Sequence, residues 1–139
     1  MHRNVLKTLL HAFVSTRLDY CNSLFYGLPK CDVRKLQAVQ NAAARLYGGI
    51  RKYDHVTPIM RDDLHWLPIS QRIQFKVATL VFKSLHHLAP DYLTDMCHLS
   101  SESAILSRNR SASNGELIPA IWNTVGYGKR TFYYSAPAV

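Results

Sequence analysis

Carboxylates are scarce in this sequence. Nine Asp and Glu stand against 17 Lys and Arg, a formal net charge of +8. The excess is confined to the first two thirds: residues 1–89 hold 13 basic and 5 acidic side chains, residues 90–139 four of each. Such a balance favours a polyanionic partner, most often nucleic acid, over an acidic small molecule. Cysteines are few as well. Cys21, Cys31 and Cys97 lie far apart with no C-x-x-C, which excludes a zinc ribbon and a disulfide framework and fits a reducing, intracellular compartment. No apolar run approaches the roughly 20 residues of a membrane span, so no membrane partner is expected. Val5–Val14 is interrupted by Lys7 and His11, which excludes a signal peptide.

Catalytic signatures are also missing. The histidines (His2, His11, His55, His65, His86, His87 and His98) do not cluster at metal-ligand spacing. His86 and His87 are adjacent, and on a helix they diverge. The serines of residues 100–113 have no histidine and acid at motif spacing, and no Gly-rich phosphate loop occurs. Asp62-Asp63 is superficially like the aspartate pair with which polymerases hold two cations. It follows a proline-started helix and has no acidic partner motif upstream, so it reads as two solvated acids. No catalytic residue and no metal site is expected.

What is present is helical periodicity. With 139 residues and 47% apolar residues the chain is one domain or a piece of one. Its longest apolar stretch is Leu64–Pro90. A helix is expected there over about 70–88, capped by Ser70 and stopped by Pro90. Ile73, Val77, Leu80, Val81, Leu85 and Leu88 recur at helical steps, and Phe75, Ala78 and Phe82 widen that face. Only Arg72, Lys76, Thr79 and Lys83 form a polar strip, the pattern of a helix packed on most sides. Trp66 and Leu67 are expected to plug the core just before it. Val5–Tyr26 reads as a helix closed by Gly27 and Pro29, with Arg17 in the middle of its apolar face. Either that helix is interrupted around Ser15–Thr16 or Arg17 is buried with a polar partner, so Arg17 and Trp66 are read as structural. A second helix, Val33–Tyr47, is capped by Asp32 and closed by Gly48-Gly49. Its apolar side is Val33, Leu36, Val39, Ala43, Leu46 and Tyr47. Thr57-Pro58 opens a short helix to about Leu64, and Asp91–Leu99 forms another. Ser100–Gly115 reads as a loop, Glu116–Val125 as extended, Gly126 and Gly128 as framing a turn, and Thr131–Ser135 as strand or helix.

The fold class expected is therefore mainly α: a small helical bundle around a central buried helix, with a loop-rich, partly extended C-terminal tail. Residues 1–99 form the helical domain and 100–139 the tail. On the second helix Arg34, Gln37, Asn41 and Arg45 share an acid-free face of the kind that tracks phosphates. With Arg72, Lys76 and Lys83 they make up the candidate nucleic-acid contacts.

Several stretches occur together in a familiar order. Ser15-Thr16-Arg17-Leu18-Asp19-Tyr20-Cys21-Asn22-Ser23-Leu24 and Tyr26-Gly27-Leu28-Pro29 resemble the SRLDYCNSLLYGLP run of non-LTR, LINE-type retrotransposon reverse transcriptases of the jockey and chicken-repeat kind. Leu36-Gln37 and Val39-Gln40-Asn41-Ala42-Ala43-Ala44-Arg45 are similar to the next run. His55, Thr57-Pro58, Leu64-His65-Trp66-Leu67-Pro68, Arg72-Ile73, Phe75-Lys76 and Leu88-Ala89-Pro90-Asp91-Tyr92-Leu93 follow in the same order. Tyr127-Gly128, Arg130, Phe132 and Ala136-Pro137 resemble the family's tail, and the likeness spans essentially the whole chain. It implies a thumb and post-thumb segment that closes on a template–primer duplex, RNA–DNA or DNA, by backbone contacts. The palm, with its aspartates and Mg2+, and the endonuclease would belong to the rest of the parent polypeptide. This fragment would then bind no cofactor, would not polymerise on its own, and would work in the nucleus. From the residues alone two other readings stay open. One is a helical protein–protein module using the central helix and Phe132–Tyr134; the other is a decayed copy of the element with no selected role.

Overall fold

Helix α1 (Arg3–Leu10) runs through a π-helical turn, His11–Ser15, into the short α2 (Thr16–Asp19). The wide turn is fixed at the His11 carbonyl, which accepts the backbone N–H of Thr16 and also its hydroxyl, at 2.8 Å. A π turn carries one residue more than an α turn, so everything beyond it is rotated. Ser15 takes a buried position and Leu18 a half-buried one, while Arg17 is swung out and exposed. Of the two outcomes open for Arg17 the interruption holds. Arg17 is not a buried structural residue, and it has no ion-pair partner among the described residues. Phe13, expected on the apolar face, is 72% exposed. The helix stops at Asp19, well before Tyr26. Tyr20 is extended and Cys21 adopts φ +51, which helices do not continue through; a 3-10 turn, Asn22–Phe25, follows.

The computed structural model describes residues 3–103, 108, 115–118, 128 and 131–139. The chain divides into two compact units, Met1–Asn22 with Leu28–Arg72, and Ser23–Gly27 with Ile73–Val139. The described residues are mainly helical, in six α-helices.

In the first unit α3 (Lys30–Gly48) begins at Pro29, three residues before the expected cap. Asp32 therefore lies inside the first turn and pairs with Lys35 at 2.9 Å instead of capping. Gly49, at φ +63, ends the helix and returns its N–H to the Arg45 carbonyl, as a left-handed C-cap does. Its neighbour Gly48 serves packing: a Cβ there would run into Ile59 Cδ1. The core consists of Leu10, Ala43, Ala44, Val56, Met60, Leu64 and Trp66, with Leu6, Val14, Tyr47, Ile50 and Ile59 against it. The strip of α3 that is buried is Gln40, Ala43 and Ala44. Val39 and Leu46 are 51% and 63% exposed, so the face expected from hydrophobicity is not the one that packs. Small alanines let the neighbouring segment approach closely, and Gln40 satisfies its backbone (below).

Helix α4 (Ile69–Leu85) contributes its first turn to this unit and the remainder to the second. Ile69, Ile73, Val77 and Ser84 are buried, while Phe75 and Phe82 are 65% and 58% exposed. The buried face is thus a single strip, narrower than the one expected. Ser70 is exposed within the first turn and does not cap. The helix ends at Leu85, before Pro90 can act. His87 takes φ +54 and the Leu88 N–H returns to the Lys83 carbonyl at 2.8 Å, a left-handed closure. Leu88, beyond that closure, is 69% exposed.

In the second unit α5 spans only Asp91–Thr94. His98–Ser100 then pairs with Glu116–Ile118: Leu99 and Leu117 form an antiparallel bridge, with Ser100 N–H to Glu116 O at 2.8 Å and Ile118 N–H to His98 O at 2.9 Å. This is the extended tail at its described end; residues 119–125 and Gly126 lie outside the described residues, as does most of Ser100–Gly115. A 3-10 turn covers Ser100–Glu102, and α6 (Phe132–Ala138) settles the strand-or-helix alternative in favour of helix.

Cys97 is buried, and burial pushes its thiol above the usual range, partly offset by a hydrogen bond with Ser84. Cys21 and Cys31 are exposed. Less thiolate and less access predict that two thiols react quickly with a maleimide at pH 7.5 and the third only on unfolding. Mass-spectrometric counting of labelled cysteines checks this.

Candidate nucleic-acid interface

Leu64–Ile69, the segment leading into α4, is fastened by side chains from two other helices. Its backbone turns sharply at His65, φ +55, and the Trp66 N–H donates to the Met60 carbonyl at 2.7 Å. The Leu67 carbonyl accepts two side-chain donors, Gln40 Nε2 at 2.9 Å and Arg72 Nε at 3.0 Å. The first N–H of α4, on Ile69, donates to Gln37 Oε1 at 2.9 Å. Gln37 Nε2 in turn donates to Gln40 Oε1 and Asn41 Oδ1, both at 2.9 Å. The cap that Ser70 was expected to provide locally is therefore supplied by Gln37, 32 residues earlier in the chain. A helix N-terminus carries unpaired N–H donors, and this amide answers one of them.

These contacts redistribute the sequence-derived candidates. Gln37 and Asn41 are half-buried and tied into the amide network, so they are structural rather than phosphate contacts. Arg72 is committed too. Its Nη1 lies 2.7 and 2.8 Å from the two carboxylate oxygens of Asp19, and its guanidinium sits 5.9 Å over the Trp66 ring. With 12% of its side chain exposed, Arg72 is an internal clamp and not a free cation. Arg45 is half-buried, and its Nε is buried without a hydrogen-bond partner among the described residues. Trp66 is the core plug expected, 4% exposed, with the His11 ring edge-on at 5.5 Å.

Arg34 on α3, and Lys76 and Lys83 on α4, keep the character expected of them. All three are exposed, and none has a carboxylate within ion-pair distance among the described residues. Helix α4 contains no acidic residue at all. The Asp62-Asp63 pair is exposed, as two solvated acids would be. Arg61 hydrogen-bonds Asp62 at 2.7 Å and holds its carboxyl below the usual range. The Asp63 carbonyl accepts Lys7 Nζ at 2.7 Å. Among the described residues no group of three His, Cys, Asp or Glu side chains is placed to hold a metal ion, and no helix is long and apolar enough to cross a membrane.

Sequence reasoning missed Asp19 and Gln40. Asp19 reaches Arg72 across 53 residues, a distance no local spacing reveals. Gln40 had a faint signal: an amide at i+3 from Gln37 among alanines, fully buried in the fold. Gln40→Ala leaves Leu67 O and Gln37 each short of a partner and is expected to lower stability by about 1–3 kcal/mol; thermal denaturation followed by circular dichroism at 222 nm tests it.

Compared with protein-family models, curated proteins and solved structures, the chain matches none.

Proposed function

We propose that this chain is a thumb-like segment of a non-LTR retrotransposon reverse transcriptase. In this reading it holds a template–primer duplex by its phosphates and does not polymerise without the palm of the parent polypeptide. Mg2+ and the catalytic aspartates belong to that palm, and the site of action is the nucleus. The ordered motif set suggests the family. The observation that carries the binding role is the exposure of Arg34, Lys76 and Lys83, each free of carboxylates among the described residues. Unpaired cations of this kind displace counterions from a polyanion, and binding then weakens steeply with salt.

Fluorescence anisotropy with a labelled RNA–DNA duplex across a salt series tests the reading. Affinity should fall log-linearly with salt. The triple variant Arg34→Ala, Lys76→Ala, Lys83→Ala should flatten the slope by about 3, on the basis of roughly 0.9 per lost phosphate contact. A flat salt response in the unaltered chain sinks the proposal.

A further inference from the structure

The exposed face of α4 carries more than charge. Phe75 and Phe82 stand seven residues apart, so both project from the same side of the helix, about 10.5 Å apart along its axis. They are 65% and 58% exposed. Ala78, between them, is exposed and small. The Phe82 ring lies 4.2 Å, centroid to centroid, from the ring of His86, which extends the aromatic surface by a further turn. Lys76 and Lys83 directly follow the two phenylalanines and repeat the same seven-residue step. An aromatic band and a cationic band therefore run side by side along one helix that has no acidic residue to oppose them.

We propose that this face of α4 is a binding platform for single-stranded nucleic acid. Unpaired bases stack on Phe75 and on the Phe82–His86 pair, and Lys76 and Lys83 meet the phosphates. Duplex phosphates alone give exposed phenylalanines no role, because paired bases hide their faces. A strand with splayed bases uses rings and ammonium groups together, as single-strand binding surfaces do. The like charge of Lys76 and Lys83 opposes a second copy of the same helix laid against this face. The inference rests on the nucleic-acid reading above and narrows it to a strand type.

Binding of the full chain is measured by anisotropy with three probes: a labelled oligo-dT, an abasic strand of equal length and charge, and the RNA–DNA duplex. Stacking predicts that oligo-dT binds about tenfold or more tighter than the abasic strand. Phe75→Ala with Phe82→Ala should erase that preference and leave duplex affinity unchanged. Both positions are exposed, and an unchanged circular dichroism spectrum and melting temperature would confirm that the fold is kept. Equal binding of the two single strands, or a preference that survives the double substitution, overturns the platform while duplex binding stands. Absence of binding to all three probes overturns the nucleic-acid reading itself. Concentration-dependent self-association in sedimentation equilibrium, abolished by the same double substitution, overturns the platform in favour of a protein interface.

Discussion

Trp66→Ala should lower the stability of the fold by about 3–5 kcal/mol, the range for truncating a large buried aromatic. In a chain of this size that corresponds to a fall in melting temperature of roughly 10–15 °C. The size of the effect follows from position. Trp66 is 4% exposed in the core of the first unit, meets the edge of His11, and lies under the Arg72 guanidinium. Trp66→Phe supplies the control. The indole Nε1 has no hydrogen-bond partner among the described residues, so removing it strands no acceptor, and only the lost ring volume counts. About 1–2 kcal/mol is expected. If Trp66→Phe proves as damaging as Trp66→Ala, the indole nitrogen is bonded after all and the packing account is wrong. Circular dichroism melts suit both variants better than fluorescence, since Trp122 also emits.

The second large effect separates stability from binding. Arg72→Ala should cost about 2–3 kcal/mol, below the 3–5 of a fully buried broken pair. The reason is that Asp19 keeps 49% of its side-chain exposure and can rehydrate. Asp19→Ala should cost about 1 kcal/mol less than Arg72→Ala, because Arg72 retains the Leu67 carbonyl and the face of Trp66. Arg72→Lys should resemble Arg72→Ala more than the unaltered chain, since an ammonium cannot reproduce the two-oxygen grip on Asp19 or lie flat on an indole. A double-mutant cycle between positions 19 and 72 isolates the pair itself. The contrast with Lys76→Ala is decisive for the interface. Removing Lys76 should leave the melting temperature alone and change the salt slope; removing Arg72 should do the reverse. A salt slope that drops with Arg72→Ala at temperatures where the variant is folded would return Arg72 to the binding surface.

Those two residues also show what can be read from one sequence. The helical class, Gly49 as the end of α3, Trp66 as a core plug and the exposure of Lys76 and Lys83 are written in local patterns: apolar spacing, a glycine pair, a lone indole beside a proline. Whether a cation is free is not local. Arg72 and Lys76 occupy equivalent places on one polar strip, and only the fold brings a carboxylate to the first and not the second. The same limit explains Gln37 and Asn41. Their periodicity marks a polar face, but polar side chains also serve where a buried backbone turn needs donors and acceptors. Hydrophobic spacing likewise overstated α4, because it counts Phe75 and Phe82 as apolar without knowing whether anything packs on them.

The widened turn at His11–Ser15 has a consequence for insertions and deletions. It holds a surplus residue, and Ala12 and Phe13 in it are both exposed. Deleting either would let the segment wind as ordinary α-helix and turn all that follows by about 100°. Asp19 would then point away from Arg72, and Arg17 would rotate toward the interior. One lost codon at a site that touches nothing would thus do more harm than many substitutions within it, so this short tract should tolerate changes of identity far better than changes of length.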